Sequence, residues 1–354
     1  MNGTTAIVGA GMAGLAAAQR LTAAGGHVVI LEKSSGVGGR VATRRVEGCI
    51  VDHGAQVIKP DGSPLADVMF HQLSTADLIE VTAPVNAVGR AGEILPADPH
   101  YAAQRKFTYR NGMTTLPKLL IAALPAELLE LRLSTRIATI EEDRTGFLLR
   151  DEQGKELLHA ESVVLTAPAP QAAELLAASR LRDTTLNRLR IDALRSVPYQ
   201  SCLTALLGYA SPAPSAPAYA LLAADRTRPL LWLAFEQAKG PDRVPPGGAV
   251  LIAQLGPEIS QDLYGAPEEE VIALTLRELR VLFGDAYARP TWRQVKRWRY
   301  SQPRGLTDFG TVNPTASADS RLVVCGDALR PENGRVYQAY SSGLQAAEFL
   351  LQSA

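Results

Sequence analysis

The sequence predicts an α/β fold: a parallel-sheet domain interrupted by an inserted domain of mainly β-sheet plus helix. Three observations predict it. Residues 4–32 read as a complete strand, glycine loop, helix and strand; residues 186–304 mix strand-like runs with Pro-rich breaks; and within them Glu268 to Phe283 reads as an amphipathic helix. A chain of 354 residues is long enough for two or three domains and a core that needs no disulfide or metal. With 46% apolar and 20% charged residues, its composition excludes a disordered chain. Basic and acidic residues balance at 36 each, so no net field recruits nucleic acid. Cys49, Cys202 and Cys325 are too few and scattered for a disulfide framework or a zinc site, and their odd number fits a reducing compartment. The five His show neither HxH nor HxxxH spacing, so no metal is expected. Apolar runs are short and broken by charge or Pro, so no membrane contact is expected. No basic region leads into a cleavable apolar stretch at the N-terminus, which makes a cytoplasmic protein the simplest reading.

The first element is the buried strand Thr4-Thr5-Ala6-Ile7-Val8. It runs into Gly9-Ala10-Gly11-Met12-Ala13-Gly14, then an Ala- and Leu-rich helix over Leu15 to Ala24, which Gly25-Gly26 ends. His27-Val28-Val29-Ile30-Leu31 is the second strand, closed by Glu32. Gly9 permits the tight turn, Gly11 lets backbone approach a pyrophosphate, and Gly14 lets the helix pack closely on the sheet. Free N–H groups and the dipole at the helix start attract the phosphates. Glu32, 23 residues after Gly9, is placed to accept hydrogen bonds from ribose hydroxyls and to repel a 2′-phosphate. The motif predicts a Rossmann-type dinucleotide site and leaves NAD or FAD open. A second glycine cluster follows, Gly36-Val37-Gly38-Gly39-Arg40-Val41-Ala42-Thr43-Arg44-Arg45, where backbone approaches closely and a cation meets phosphate oxygens.

With these segments in hand, the sequence resembles the flavin amine oxidase superfamily, and within it the renalases and their bacterial relatives. Matching segments run along nearly the whole chain. They are Gly38 to Arg45, Asp52-His53-Gly54-Ala55-Gln56, Arg110-Asn111-Gly112-Met113-Thr114-Thr115-Leu116, Val163 to Gln171, Leu231-Trp232-Leu233-Ala234 with Lys239-Gly240, Arg297-Trp298-Arg299-Tyr300, Val323 to Asp327, and Gly334-Arg335-Val336 through Ala347. The resemblance implies a Rossmann-type FAD-binding domain with an inserted substrate domain. It implies non-covalent FAD, with Gly9, Ala10, Gly11, Met12, Ala13 and Gly14 at the pyrophosphate, Glu32 and Lys33 at the adenosine, and Gly39 and Arg40 again at the pyrophosphate. Gly54, Ala55, Gln56 and Ala167 would border the flavin. Ile137, in the strand-like run from Arg132, would meet the adenine. Gly326 and Asp327 would take the ribityl–phosphate end, and Val336 and Ala339 would bring helix N–H groups to the flavin ring, whose reduced form carries negative charge.

The same comparison divides the chain into an FAD-binding domain at 1–60, 105–185 and 305–354 and a substrate domain at 61–104 and 186–304. Breaks such as residues 211–217 and Pro245-Pro246-Gly247-Gly248 punctuate the latter. Glu268 to Phe283 reads as an amphipathic helix, with Val271, Leu274, Leu279 and Leu282 on one face. Trp232, Trp298, Tyr300 and Tyr340 are candidates for an aromatic substrate pocket, since planar walls stack on a flat substrate. Because a flavin supplies the redox chemistry, no acid–base dyad is needed; His53, Gln56 and Tyr300 are the candidates for orienting a substrate, and Lys239 and Lys296 for structural ion pairs. Renalases usually read close to GRVEGAxxSG near the end; here Tyr337 and Gln338 stand for the acid and glycine, and the Ala328 to Asn333 loop is longer. Those departures lie beside the ring and bear on substrate more than cofactor. Three readings follow: a renalase-like oxidase taking hydride from misreduced nicotinamide rings and passing electrons to dioxygen, a flavin amine oxidase or desaturase acting on another small molecule, and a non-catalytic FAD-binding scaffold.

Overall fold

Thr4–Val8 forms the middle strand of a five-stranded parallel sheet. His27–Leu31 and Ser162–Leu165 flank it, and Leu129–Arg132 and Leu322–Val324 form the edges. The three inner strands and Leu322–Val324 read as largely apolar runs because both faces of the sheet are covered, while Leu129–Arg132 at the other edge alternates apolar and charged residues. The computed structural model describes residues 3–60, 62–97, 99–210, 218–225, 227–314, 321–329 and 335–352. The Pro-rich break at 211–217, Gly334 and most of the loop from Ala328 to Asn333 lie outside the described residues.

On one face the first helix, Met12–Ala23, lies against the last, Val336–Gln352. A Cβ on Gly343 would overlap the Ala13 carbonyl oxygen, so the two helices meet backbone to backbone. The other face carries the antiparallel ribbon Thr139–Glu142, Phe147–Arg150 and Glu156–Ala160 with helices Ala169–Ala178 and Thr184–Arg195. The latter helix straddles the expected boundary at 185 and packs with the parallel sheet's core through Ile191 and Leu194.

A second, seven-stranded sheet runs in the order Trp292–Pro303, Tyr199–Tyr209, Ala249–Leu255, Leu230–Phe235, Ala220–Ala223, Val85–Val88, Ile94–Leu95. Its pairs are antiparallel except Ala220–Ala223 with Val85–Val88. Leu203, Ala205, Leu233 and Leu251 face the helix Glu268–Phe283, which buries Val271 and Leu279 and half-buries Leu274 and Leu282. Alternate residues turn to the opposite face. There a single transverse row reads Leu222, Trp232, Gln254, Thr204, Lys296 across five strands. The segment 64–72, expected with the inserted domain, instead packs Leu65, Val68 and Met69 into the core around the first and last helices. Among the described residues no helix is long and apolar enough to cross a membrane.

Candidate functional site

The loops leaving the carboxyl ends of all five parallel strands converge on one cavity of about 810 Å³, and the second sheet closes its far side. Gly9 makes the first turn at φ +112°, where a Cβ would also overlap the Thr166 hydroxyl. That hydroxyl donates to the carbonyls of Val8 (2.9 Å) and Gly9 (3.2 Å), joining two of the loops. A Cβ on Gly14 would overlap the Gly9 carbonyl oxygen, so the helix lies directly on its own entry turn. Gly11 is the N-cap and offers no side-chain cap, which leaves the first-turn N–H groups to the cavity. Nothing stands within 4 Å of where its Cβ would be, and Gly39 of the second glycine cluster, at φ +57°, lies so close that a Cβ on it would come 3.4 Å from the Gly11 Cα. Two opposed strips of naked backbone with orphan donors fit a pyrophosphate.

Glu32 is 7% exposed. Its Oε2 accepts from Ala10 N–H and its Oε1 from Ser34 N–H, both at 2.8 Å. The carboxylate is thus fixed at the cavity wall with lone pairs left for ribose hydroxyls. Ile137 lines the same end, though from irregular chain. The strand stops at Arg132, Ser134 takes φ +52°, and Ser134 and Thr135 donate to the carbonyls of Ser34 and Glu32 (2.9 and 2.8 Å). The strand-like run expected to carry Ile137 is therefore a loop tied to the acid's own backbone.

Arg40 and Asp327 form a two-pronged ion pair, Nη1–Oδ2 2.8 Å and Nη2–Oδ1 2.9 Å. Arg40 also donates to the Ser301 carbonyl (3.1 Å), and the Tyr199 hydroxyl to Asp327 Oδ1 (3.1 Å). Burial works against the Arg40 charge, but Asp327 and Tyr199 together outweigh it and hold the guanidinium above its ordinary pKa. Tyr300 lines the wall here, edge-on to Tyr199 at 5.9 Å and 3.5 Å from Glu174 Oε1. It belongs with the Arg40–Asp327 pair rather than with the tryptophans.

At the other end the cavity is walled by Gly54, Ala55, Gln56, Leu222, Trp232, Gln254, Trp298 and the start of the last helix at Val336, Tyr337 and Ala339. Trp298 is held by its Nε1–H to the His53 carbonyl (2.8 Å) and stacks on the His53 ring at 5.5 Å and 18°. Lys296 sits 4.9 Å over the Trp298 ring. His53 does not reach the cavity: it backs Trp298, and burial, Arg44 and Lys296 push its pKa down to about 4. Tyr340 also leaves the wall. It is 1% exposed, packs in the core, and its hydroxyl donates to Gln19. Ala10 and Gly14 lie behind the wall, while Gly9, Gly11, Met12, Ala13, Glu32, Lys33, Gly39, Arg40, Ala167, Gly326 and Asp327 line it.

Behind Gln56 is a fully buried charge cluster. Asp52 Oδ2 meets Arg243 Nη2 at 2.6 Å and Lys239 Nζ at 3.4 Å, and Lys239 Nζ meets Glu236 Oε1 at 2.7 Å. Lys239 also donates to Gln56 Oε1 (3.0 Å), and Asp52 Oδ1 accepts from Thr43 Oγ1 (2.6 Å) and Met113 N–H (2.9 Å). Burial opposes charge on Asp52, but Lys239 and Arg243 hold its carboxyl below the ordinary range; burial and Asp52 lift that of Glu236. Lys239 is thus an ion-pair residue, whereas Lys296 lies over the Trp298 ring. Thr166, Asp52 and Lys239 stood in segments already singled out for their resemblance, but as parts of longer runs. Arg243, within Pro241-Asp242-Arg243-Val244-Pro245, carried no pattern at all.

The chain matches the profile of flavin-containing amine oxidoreductases over residues 88–351 and that of an NAD(P)-binding Rossmann-like domain over residues 7–73. A putrescine oxidase from Kocuria rosea is 48% identical over 59 residues, 17% of this chain and 12% of its own length. The alignments with this and the next curated relative each span only 12% of the relative's length. Among solved structures, an Exiguobacterium protein provisionally named protoporphyrinogen oxidase superposes with a TM-score of 0.79 at 14% identity, covering 100% of both chains. Cyclohexylamine oxidase from Brevibacterium oxydans gives 0.76 at 14% identity, covering 99% of each. At that identity the superpositions speak to fold.

Proposed function

The chain belongs to the flavin-containing amine oxidoreductases, an FAD-dependent oxidoreductase with its cofactor held without a covalent bond, and from that premise we propose that it is a renalase-like oxidase. Its substrate would be a small, flat, reduced ring, foremost a dihydronicotinamide isomer, with dioxygen as acceptor and hydrogen peroxide as product. When bound, FAD supplies the hydride acceptor. In this reading Gly9, Gly11, Met12 and Ala13 meet the pyrophosphate with backbone, Glu32 holds the adenosine ribose, and Arg40 with Asp327 borders the phosphate and ribityl end. The start of the last helix, from Val336, turns N–H groups toward the flavin ring.

The observation that carries the substrate reading is the pairing of Trp232 and Trp298 on one face of the second sheet, with Gln254 on a strand between them. Planar walls with an amide between them suit a flat ring bearing a carboxamide. Amine oxidation is the second reading, favoured by the family. Against a diamine, the carboxylates among the described lining residues are Glu32, Glu152, Glu174 and Asp327, none of them on the second sheet that carries the tryptophans. We also place the protein in the cytoplasm, and its FAD domain at 1–60, 105–185 and 305–354 with the helical segment 64–72 docked on it. The test is anaerobic rapid mixing of the purified protein with 2- and 6-dihydro isomers of NAD, ordinary NADH and a panel of amines. Flavin bleaching by the isomers ahead of the amines, then reoxidation in air with peroxide, is expected. Bleaching by an amine and by none of the dihydropyridines overturns the reading in favour of an amine oxidase.

A further inference from the structure

Ile58 and Phe107 exchange both backbone hydrogen bonds at 2.8 Å, an isolated antiparallel bridge. One residue on from Ile58 and one back from Phe107, that antiparallel register sets Lys59 opposite Lys106 on the same face. Like charges in that position repel, and a buried ammonium needs an anion or hydrogen bonds. Yet both line the cavity, Lys106 at only 5% exposure. Their ammonium groups converge on one residue: Lys59 Nζ donates to Gln104 Oε1 (2.7 Å) and Lys106 Nζ to the Gln104 carbonyl (3.2 Å). Arg335, directly before the last helix, brings a third cation to the same stretch of wall, beside Tyr337. Burial, Arg335 and Lys106 together lower the pKa of Lys59 to about 8, as expected for cations sharing one small space. The expected pyrophosphate strips, Gly9 to Ala13 and Gly39 with Arg40, belong to other loops.

We propose that Lys59, Lys106 and Arg335 form an anion subsite at the substrate end of the cavity, which takes a phosphate group carried by the substrate. The proposal rests on the dihydronicotinamide reading above, and narrows it to phosphorylated nucleotides over the corresponding riboside. Three cations around one phosphate supply charge-assisted hydrogen bonds, each worth roughly tenfold in affinity.

The test compares the holoenzyme's flavin reduction by 6-dihydronicotinamide mononucleotide and by its dephosphorylated riboside. Wild type is expected to prefer the mononucleotide at least ~tenfold in apparent Kd, and Lys106→Met and Arg335→Gln each to cut that preference below ~threefold. Arg335 is exposed, so its variant guards against misfolding of the Lys106 one. Equal affinity for the two compounds in wild type, or an undiminished preference in both variants, overturns the subsite. Should neither compound reduce the flavin, the ring reading fails, and the subsite is judged without turnover. Inorganic phosphate then has to raise the holoenzyme's Tm and shift its oxidised flavin spectrum, with both effects lost in Lys106→Met and Arg335→Gln; no phosphate effect in wild type overturns it.

Discussion

Replacing Lys239 by Met is expected to destabilise the protein by about 3–5 kcal/mol near neutral pH, the usual cost of removing one partner from a buried ion pair. The size follows from what the ammonium leaves behind. Glu236 Oε1 loses its contact at 2.7 Å and retains only the Asp52 N–H at 3.0 Å, while Arg243 Nη1 stands 3.6 Å from Oε2. Asp52 suffers less, because Arg243 remains at 2.6 Å. Met fills much of the vacated volume, so the penalty is an uncompensated carboxylate rather than a cavity. Burial, with Asp52 adding to it, already raises the Glu236 pKa, and losing Lys239 raises it further. A raised folded-state pKa favours the protonated form in the native protein, so Glu236 escapes the penalty by taking a proton. Relative to wild type, the deficit is therefore smallest in acid and grows as pH rises through the folded-state pKa. Denaturation of wild type, Lys239→Met, Glu236→Gln and the double variant at about pH 5.5 and about pH 8.5 reads this out, with the double variant recovering ~2 kcal/mol over the sum of the singles. Additive single effects, or a pH-independent loss below ~1 kcal/mol, would refute the assignment of Glu236 as the stranded charge.

Other outcomes are equally open to measurement. Acid precipitation of the yellow protein should leave all colour in solution, and flavin in the pellet would mean a covalent link. Glu32→Arg should raise the FAD dissociation constant roughly tenfold or more, since a charged acceptor worth ~1.5–3 kcal/mol becomes a donor that also forfeits the Ala10 and Ser34 bonds; an unchanged constant would place the adenosine elsewhere. Gly14→Ala should cost ~1–3 kcal/mol and much of the bound FAD, as its Cβ drives the helix off the Gly9 turn, so full retention of flavin would contradict that packing. His53, with a pKa of about 4 against 6.5 unperturbed, is neutral in the native protein and binds protons more readily when unfolded. Stability should thus be complete above pH ~6.5 and fall by up to ~3 kcal/mol as pH drops toward the folded pKa; His53→Asn should flatten that limb, and an identical acid limb would show the ring is not the cause.

Local pattern carried the first domain well. Thr4–Val8 and His27–Leu31 have the bounds that the sequence predicts, because the inner residues of a parallel strand covered on both faces form an apolar run. Glu268–Phe283 was legible for the analogous reason, a periodic stripe against a sheet. Pattern failed where tertiary contact decides. Tyr340 and Trp298 look alike in sequence, yet one sits at a helix position facing the first helix and the other on a strand position facing the cavity. Ile137 sits in a loop because Ser134 adopts a left-handed backbone, which no local propensity announces. Asp52, Glu236, Lys239 and Arg243 draw on segments nearly two hundred residues apart, and each is an ordinary charge until the fold removes its water. The facing of Lys59 and Lys106 depends on one isolated bridge, a register that neither segment encodes alone.

The backbone-to-backbone crossing of the first and last helices also constrains when the protein can acquire its cofactor. The cavity wall draws Gly9, Gly11, Met12 and Ala13 from one strand-to-helix turn, and Gly326, Asp327, Val336 and Ala339 from segments more than three hundred residues further along the chain. A nascent chain that has emerged only to about residue 300 has the first glycine turn but lacks the edge strand Leu322–Val324, Asp327 and the helix that covers Met12–Ala23. Flavin capture must then wait until the segment that carries Asp327 and the last helix has emerged, and the Ala-rich first helix waits with its outer face uncovered. Ribosome-stalled chains ending near that point should carry no flavin and be readily cleaved by protease around Leu15 to Leu21, whereas flavin on such chains would show that the first turn alone suffices.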